Sequence, residues 1–298
     1  MALSEKRKGE IYIFTEVIFG AFLPIITVLT YAQLGSFVSL AWSTLIAAVL
    51  FAALITYRRA WGKINNFSLI KYSIGTAIFV SVLFYGFLFW GLTYTTPGNA
   101  SIILLFQVFS SYLFFRWFRH ELVPFSHGIG GVCMVLGALI ILTPKFDGFN
   151  VGDILVLVGT LLAPLGNHFQ QEARKLGSSA AVLFLRSIIA APILFLLAAF
   201  FDAPATREDL YAALPFLLIN GVLLLGFAKL LWVEGIHRIS VTKAVAITSI
   251  IPLLTLLFAW IILGQVPNIW QLVSLVPLIL GVLLLTDHIR LPTKKSRQ

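Results

Sequence analysis

Charged side chains are scarce in this chain of 298 residues, because only 11% of its residues are Asp, Glu, Lys or Arg. Soluble domains ordinarily carry about 25% charged residues and about 45–50% apolar ones. Here 59% of the residues are hydrophobic, and the mean hydropathy is +0.98. A soluble core of this size cannot hide so much apolar surface, so the composition predicts an integral membrane protein embedded in a lipid bilayer.

Cysteine and clustered metal-binding side chains are also lacking. Cys133 is the single cysteine, which excludes an internal disulfide, and the five histidines are scattered without metal-ligand spacing. The sequence also contains no nucleophile–base set, no paired catalytic carboxylates and no strand that a dinucleotide-binding loop could follow. It therefore predicts no enzyme, no metal site and no cofactor.

Long apolar runs dominate the chain instead, each close to the roughly 20 residues that a membrane-spanning helix needs. Short breaks with turn residues, such as "TTPGN" and "GQVPN", separate them. The first apolar run follows a basic flank, as in a signal peptide, but it has no small-residue cleavage site. We therefore expect it to be retained as a membrane span. The sequence predicts ten transmembrane helices, at 10–32, 37–57, 70–93, 98–118, 124–143, 153–173, 180–201, 213–236, 241–263 and 269–287.

The positive charges follow these predicted spans closely. With both termini in the cytoplasm, seventeen of the 21 Lys and Arg residues fall in cytoplasmic segments, and the outer segments hold only Lys145 and Arg207. Such an excess of cytoplasmic Lys and Arg is typical of a correct membrane topology. The net charge of +9 is thus explained by topology, and no nucleic-acid partner is predicted.

An internal repeat divides the chain into two halves. A shift of 144 residues aligns "WSTLIAAVLFAAL" (42–54) with "RSIIAAPILFLLA" (186–198), and "GLTYTTPGNA" (91–100) with "GIHRISVTKA" (235–244). We expect five-helix repeats at 1–145 and 146–298. Because five is odd, the second repeat is inverted relative to the first, an arrangement typical of secondary transporters.

Several motifs are similar to those of a known family. They are "FGAFLPII" in the first span, Arg186 in "LFLRSIIAA", and "LLWVEGIHRISVTKAVAITSIIPLLTLLFAWIILGQ" across the eighth and ninth spans. With the five-plus-five repeat, the chain resembles the ten-helix, EamA-type branch of the drug/metabolite transporter superfamily along essentially its whole length. Trp42 departs from this pattern, since it stands where the first half often has an arginine. The resemblance implies a central cavity lined by helices 1, 3, 4, 6, 8 and 9, and carriers of amino acids or other metabolites.

Two ionisable side chains lie well inside predicted spans, where they are costly and mark functional sites. Glu16 in the first span and Lys229 in the eighth would lie about 7 Å and about 10 Å from the cytoplasmic edge, at 1.5 Å per helical residue. We hypothesise that they pair, or that they bind the two ends of a zwitterion, and that Glu16 couples transport to a proton or cation. A solvated vestibule for Glu16 and snorkelling of Lys229 are the alternatives. Arg186 is interpreted as a structural anchor.

The stretch "LLAPLGNHFQQEARK" (161–175) turns from apolar to polar while still inside the sixth predicted span. Its last residues are interpreted as the end of the helix. Asn167, His168 and Gln171 are predicted to face the cavity, because amides facing lipid cost several kcal/mol.

Other polar and aromatic residues are weaker substrate-binding candidates. Gln107 and Asn220 could line the cavity or form hydrogen bonds between helices. Tyr85 and Trp90 could stack on an aromatic or cationic ligand, or belong to the interfacial belt or the packing.

These features predict a secondary transporter that exports amino acids, or related zwitterionic or amphipathic compounds, by alternating access. One alternative is a sugar-phosphate or nucleotide-sugar exchanger, which would require at least two cations facing the cavity. Another is a carrier of lipids or hydrophobic molecules, whose cavity would lack charge. A small-molecule substrate and the bilayer are the expected partners, a monomer could suffice, and the short loops suggest a bacterial inner (plasma) membrane.

Overall fold

The computed structural model describes residues 4–119, 125–142 and 150–285, and within these ranges the chain is helical without strands. The α-helices are α1 (Glu5–Thr30), α2 (Ser36–Tyr57), α3 (Phe67–Thr76), α4 (Tyr85–Gly91), α5 (Pro97–Leu104), α6 (Phe106–Arg119), α7 (Phe125–Leu142), α8 (Val151–Leu176), α9 (Ser179–Phe201), α10 (Arg207–Leu218), α11 (Ala228–Arg238), α12 (Val241–Ile247), α13 (Ile251–Leu263) and α14 (Ile269–Leu285).

Side-chain caps explain where many of these helices begin. Asn150 accepts hydrogen bonds from the first backbone N–H groups of α8, and Ser178 does the same for α9. Thr206 and Asp209 form a capping box at the start of α10. Gly264 ends α13 in the left-handed conformation, with a φ of 65° that glycine adopts without strain.

Helix is present in each of the ten segments where the sequence predicts a span. Among the described residues, eight continuous helical stretches are long and apolar enough to cross a membrane, and apolar helices at 128–141 and 269–285 are shorter. The prediction of an all-α membrane protein is therefore confirmed.

Two of the long helices contain a π-helical segment in the middle. Ala77–Phe84 lies between α3 and α4, and Ile219–Phe227 lies between α10 and α11. At their ends the N–H of Tyr85 donates to Val80, and the N–H of Ala228 donates to Leu223, five residues back in each case. Such wide turns are uncommon and occur frequently at functional sites.

Helices α1 and α11 pack along each other through glycines on both sides of the contact. A Cβ on Gly235 would lie 2.3 Å from Ile13 Cδ1, and a Cβ on Gly9 would lie 2.9 Å from Arg238 Cβ. Only glycine allows the two backbones to approach so closely. This contact joins the first half of α1 to the last turns of α11.

Ion pairs join the same helices at their predicted cytoplasmic end. Glu234 of α11 binds Arg174 of α8 at 3.0 Å and also pairs with Arg238. Arg238 pairs in addition with Glu5 of α1 at 3.0 Å. A further pair joins Lys243 of α12 to Glu10 of α1.

Candidate functional site

A cavity lies between α1, α4, α6, α8, α9, α11 and α13, together with the residues that adjoin them. It contains about 880 Å³ of space free of protein atoms, its mouth included. The resemblance implied that spans 1, 3, 4, 6, 8 and 9 line the cavity, and α1, α4, α6, α8, α11 and α13 lie in these spans. Helix α9 belongs to the seventh span, which the resemblance did not include, and it lines the cavity through Arg186.

Glu16 and Lys229 meet at this cavity. The Lys229 ammonium donates a hydrogen bond to Glu16 Oε1, and the two side chains form an ion pair. Both residues are buried, with relative exposures of 2% and 9%. The predicted pairing is thus present in the structure, whereas a substrate-binding role for either side chain stays a prediction.

One oxygen of the Glu16 carboxylate lacks a donor in the described ranges. Gly20 follows one turn later, and a Cβ there would lie 3.0 Å from Ile251 Cδ1 and 3.6 Å from both carboxylate oxygens. Glu16 Oε2 is buried and has no hydrogen-bond partner among the described residues. A buried carboxylate oxygen without a donor is costly, so this atom is a candidate acceptor for a ligand N–H group.

Tyr85 also lines the cavity and is buried. Its ring packs against that of Phe84, with ring centroids 4.9 Å apart, and it lines the cavity together with Lys229 and Arg186. Because Tyr85 begins α4 directly after a π-helical segment, the wide turn sets the direction of its side chain. The predicted candidate therefore lies among the charged groups, and ligand stacking on it stays a prediction.

Arg186 lies at the cavity as well, and only 3% of its surface is exposed. Its Nη1 donates to Gln170 Oε1 at 3.1 Å. Gln170 is fully buried and lines the same wall. The interpretation of Arg186 as a structural anchor did not predict that it lines the cavity. Gln170 was not among the predicted site residues, although it follows Asn167 by three residues on one helical face.

Asn167 and Gln107 are the two remaining candidates that line the cavity. Asn167 is buried on α8 between Pro164 and Gln170. Gln107 belongs to the first turn of α6. This helix begins at Phe106, directly after the break at Leu105 that separates it from α5. Their amides supply neutral donors and acceptors to a cavity whose other walls are largely apolar.

The other four candidates lie away from the cavity lining. Trp90 packs against Phe37 and Phe201, with ring centroids 6.1 Å and 5.3 Å away. Gln171 donates to the carbonyl of Ile236 at 2.6 Å, and so joins α8 to α11. For these two residues a role in packing, and not in the cavity, agrees with the structure.

His168 and Asn220 complete this group. The His168 ring lies 6.2 Å from the ring of Phe114, on a different face of α8 from Asn167. Asn220 is fully buried in the second π-helical segment, and its amide has no hydrogen-bond partner among the described residues. The predicted hydrogen bond of Asn220 between helices is therefore not seen in the part of the chain that the structure describes.

The chemistry of the cavity combines a polar floor with apolar walls. The floor holds Glu16, Lys229 and Arg186, and the walls include Phe84, Leu88, Leu105, Trp232 and Ile251. Within the described ranges, no group of three His, Cys, Asp or Glu side chains is arranged to hold a metal ion. The arrangement suits a small amphipathic molecule with a charged end.

The model of the EamA-like transporter family matches the chain twice, at residues 7–143 and 150–287. The chain is 22% identical over 277 residues to the uncharacterized transporter YyaM of Bacillus subtilis (strain 168), covering 87% of each protein. It is 24% identical over 209 residues to the uncharacterized transporter YoaV of the same organism, covering 67% of this chain and 72% of YoaV.

A chain known from a crystal structure has the same fold, with a TM-score of 0.69 at 16% identity over 94% of this chain and 96% of that chain. The two family matches together span most of the sequence and agree with the resemblance found in its motifs. The chain therefore belongs to the EamA-like transporter family of the drug/metabolite transporter superfamily, and it is a membrane transporter.

Proposed function

We propose that this transporter exports amino acids, or related zwitterionic and amphipathic compounds, by alternating access through the cavity between its helices. The observation that carries the proposal is the buried Glu16–Lys229 pair, which presents both charges at one wall of a small-molecule cavity. The ammonium of a zwitterion can bind at Glu16, and its carboxylate can bind at a cation of the same cavity.

The architecture proposed with this function has ten spans in two inverted five-helix halves, 1–145 and 146–298, with both termini in the cytoplasm. The duplicated family match supports two halves, and the cytoplasmic excess of Lys and Arg supports the orientation. We place the protein in a bacterial inner membrane, in keeping with the Bacillus relatives. A monomer contains both halves and suffices for transport.

Counterflow in proteoliposomes tests the substrate. Vesicles loaded with unlabelled amino acids, aromatic ones included, are diluted into the corresponding labelled tracer. Transient accumulation of tracer is expected, because the carrier exchanges outgoing for incoming substrate. Folded protein that accumulates none of these tracers would contradict export of amino acids.

Glu16 is the proposed coupling residue, because its carboxylate faces Lys229 directly and also the cavity. The other titratable or charged groups at this wall are Tyr85 and Arg186. The Glu16→Gln variant should lose its dependence on a pH gradient and should still exchange substrate, since exchange needs no net proton movement, although at a higher substrate concentration because Glu16 lies at the cavity. Gradient dependence equal to that of the wild type would remove Glu16 from the coupling mechanism.

A sugar-phosphate exchanger is the second candidate, and the position of Arg186 favours it more than the sequence did. Arg186 and Lys229 together supply the two cavity cations that phosphate binding calls for. However, Lys229 is already paired with Glu16. Counterflow with glucose 6-phosphate distinguishes this candidate, since only a phosphate exchanger would accumulate the labelled sugar phosphate.

A further inference from the structure

The charges of the cavity do not balance. Among the described residues, its charged side chains are Glu16, Lys229 and Arg186. Glu16 and Lys229 neutralise each other in one ion pair. Arg186 forms no ion pair with any carboxylate in the described ranges, so the cavity carries one positive charge in excess.

The hydrogen bonding of Arg186 is also incomplete, and what it lacks is acceptors. Its Nη1 donates to the neutral amide oxygen of Gln170 at 3.1 Å, and its buried Nε has no partner among the described residues. Gln170 Nε2 is likewise buried without an acceptor there. Arg186 Nε and Gln170 Nε2 are therefore available to an anionic ligand, since neither has an acceptor in the part of the chain that the structure describes.

Burying a guanidinium without a counter-ion is unfavourable, and the cost falls when an anion enters and accepts its hydrogen bonds. A carboxylate matches the planar fork of arginine, which can donate two parallel bonds to its two oxygens. Near the same floor, Glu16 Oε2 is a free acceptor. The donors and the acceptor thus provide for both ends of an amino acid.

We propose that Arg186 is the residue that binds the carboxylate of the substrate, with Gln170 Nε2 as a second donor, while Glu16 Oε2 accepts from the substrate ammonium. This inference rests on the proposed transport function and specifies its substrate class. The substrate is a compound with one carboxylate and an apolar body, which packs against Phe84, Leu105 and Trp232.

The single excess charge also sets a limit on the substrate. A phosphate monoester carries close to two negative charges near neutral pH, and in the described ranges only one cavity cation is free of a protein counter-ion. A second negative charge would have to separate Lys229 from Glu16, leaving the Glu16 carboxylate buried without its cation. We therefore expect monocarboxylates to bind more tightly than phosphate monoesters with a similar apolar body.

The test compares three probes that share a phenyl ring: L-phenylalanine, 3-phenylpropanoate and 2-phenylethylamine. Binding to the purified full-length protein is followed by quenching of tryptophan fluorescence, since Trp232 lines the cavity. The wild type should bind both carboxylates and should bind 2-phenylethylamine far more weakly. The Arg186→Gln variant should bind both carboxylates about tenfold more weakly or worse, because it loses charge-assisted hydrogen bonds.

Two further variants protect this result from a loss of folding. Arg186→Lys keeps the charge without the fork and should give an intermediate affinity. Arg207→Gln removes an exposed arginine at the start of α10 and should bind like the wild type. Gel filtration and helical circular dichroism establish that each variant is folded.

The proposal is overturned if folded Arg186→Gln and Arg186→Lys both bind the carboxylates with wild-type affinity. Equal binding of 2-phenylethylamine and 3-phenylpropanoate, or failure of the wild type to bind either carboxylate, overturns it as well. Amino-acid counterflow that persists unchanged in Arg186→Gln removes the role of Arg186 and leaves the transport function standing. Carboxylate binding that depends on Arg186, without any counterflow, supports the role of Arg186 and contradicts the proposed transport of amino acids.

Discussion

The two π-helical segments share a backbone feature but differ in the side chains that follow them. Ala77–Phe84 is followed by Tyr85, and Ile219–Phe227 is followed by Ala228 and Lys229. The 144-residue shift that aligns the repeats places Tyr85 on Lys229. Both side chains line the cavity, so the equivalent positions face the same space with different chemistry.

The same shift extends the comparison to the other charges. Arg186 corresponds to Trp42, whose ring packs edge to face against Phe195 at 5.4 Å. Glu16 corresponds to Thr160, whose hydroxyl donates to Val156 of its own helix. The cavity cations therefore come from the second family match and the carboxylate from the first. At these aligned positions the two matched regions share a π-helical segment and differ in charge.

The largest effect is expected when Lys229 is replaced with methionine, because this removes the cation and leaves Glu16 buried without its partner. Removing one member of a buried ion pair costs about 3–5 kcal/mol, so the melting temperature in detergent should fall sharply and counterflow should cease. The double variant Glu16→Gln/Lys229→Met should regain most of the stability without regaining counterflow. A Lys229→Met protein as stable as the wild type would show that the pair is dispensable.

Alanine substitutions of glycine compare the packing of the two π-helical regions. A Cβ on Gly221 would lie 2.7 Å from Ile46 Cβ and 2.8 Å from the Ser43 carbonyl, whereas a Cβ on Gly86 meets only Phe37 at an ordinary 3.5 Å. Overpacking costs about 1–3 kcal/mol, so Gly221→Ala should lower the melting temperature. Gly86→Ala is the matched control and should leave it nearly unchanged. Equal shifts in the two variants would contradict the difference in packing.

Tyr85→Phe gives the smallest expected effect, because it removes one hydroxyl and keeps the ring. A hydrogen bond from the Tyr85 hydroxyl to the substrate would contribute about 0.5–1.5 kcal/mol. Without it the half-saturation concentration for counterflow should rise several-fold, at an unchanged melting temperature. Trp42→Phe alters the aromatic residue outside the cavity and should leave that concentration unchanged. If the two variants behave alike, the hydroxyl of Tyr85 does not contact substrate.

Hydropathy was sufficient to locate the helices, because lipid-facing segments must be long and apolar wherever they occur. Depth along the helix was sufficient to predict that Glu16 and Lys229 meet, since each lies a countable number of residues from a helix end. Both inferences use the axial coordinate alone, and that coordinate follows directly from the sequence.

Rotation about the helix axis could not be obtained in the same way. On α8 the sequence favoured Gln171 for the cavity, but Gln170 faces it and Gln171 faces α11. Arg186 was recognised as an intramembrane charge, but its place at the cavity was not predicted. In an apolar bundle every face of a helix is hydrophobic, so the pattern that orients a soluble helix is weak. A π-helical turn shifts the faces further, and no motif in the sequence announces it.

The ion pairs at the predicted cytoplasmic end have a consequence for how the helices separate. Arg174, Arg238 and Lys243 reach Glu5, Glu10 and Glu234 through side chains that are partly in contact with solvent. Each exposed pair contributes only about 0–1 kcal/mol and is weakened by salt. This end of the bundle is therefore held by several individually weak links. We expect raised ionic strength to weaken them more than the buried Glu16–Lys229 pair, which is less screened by salt.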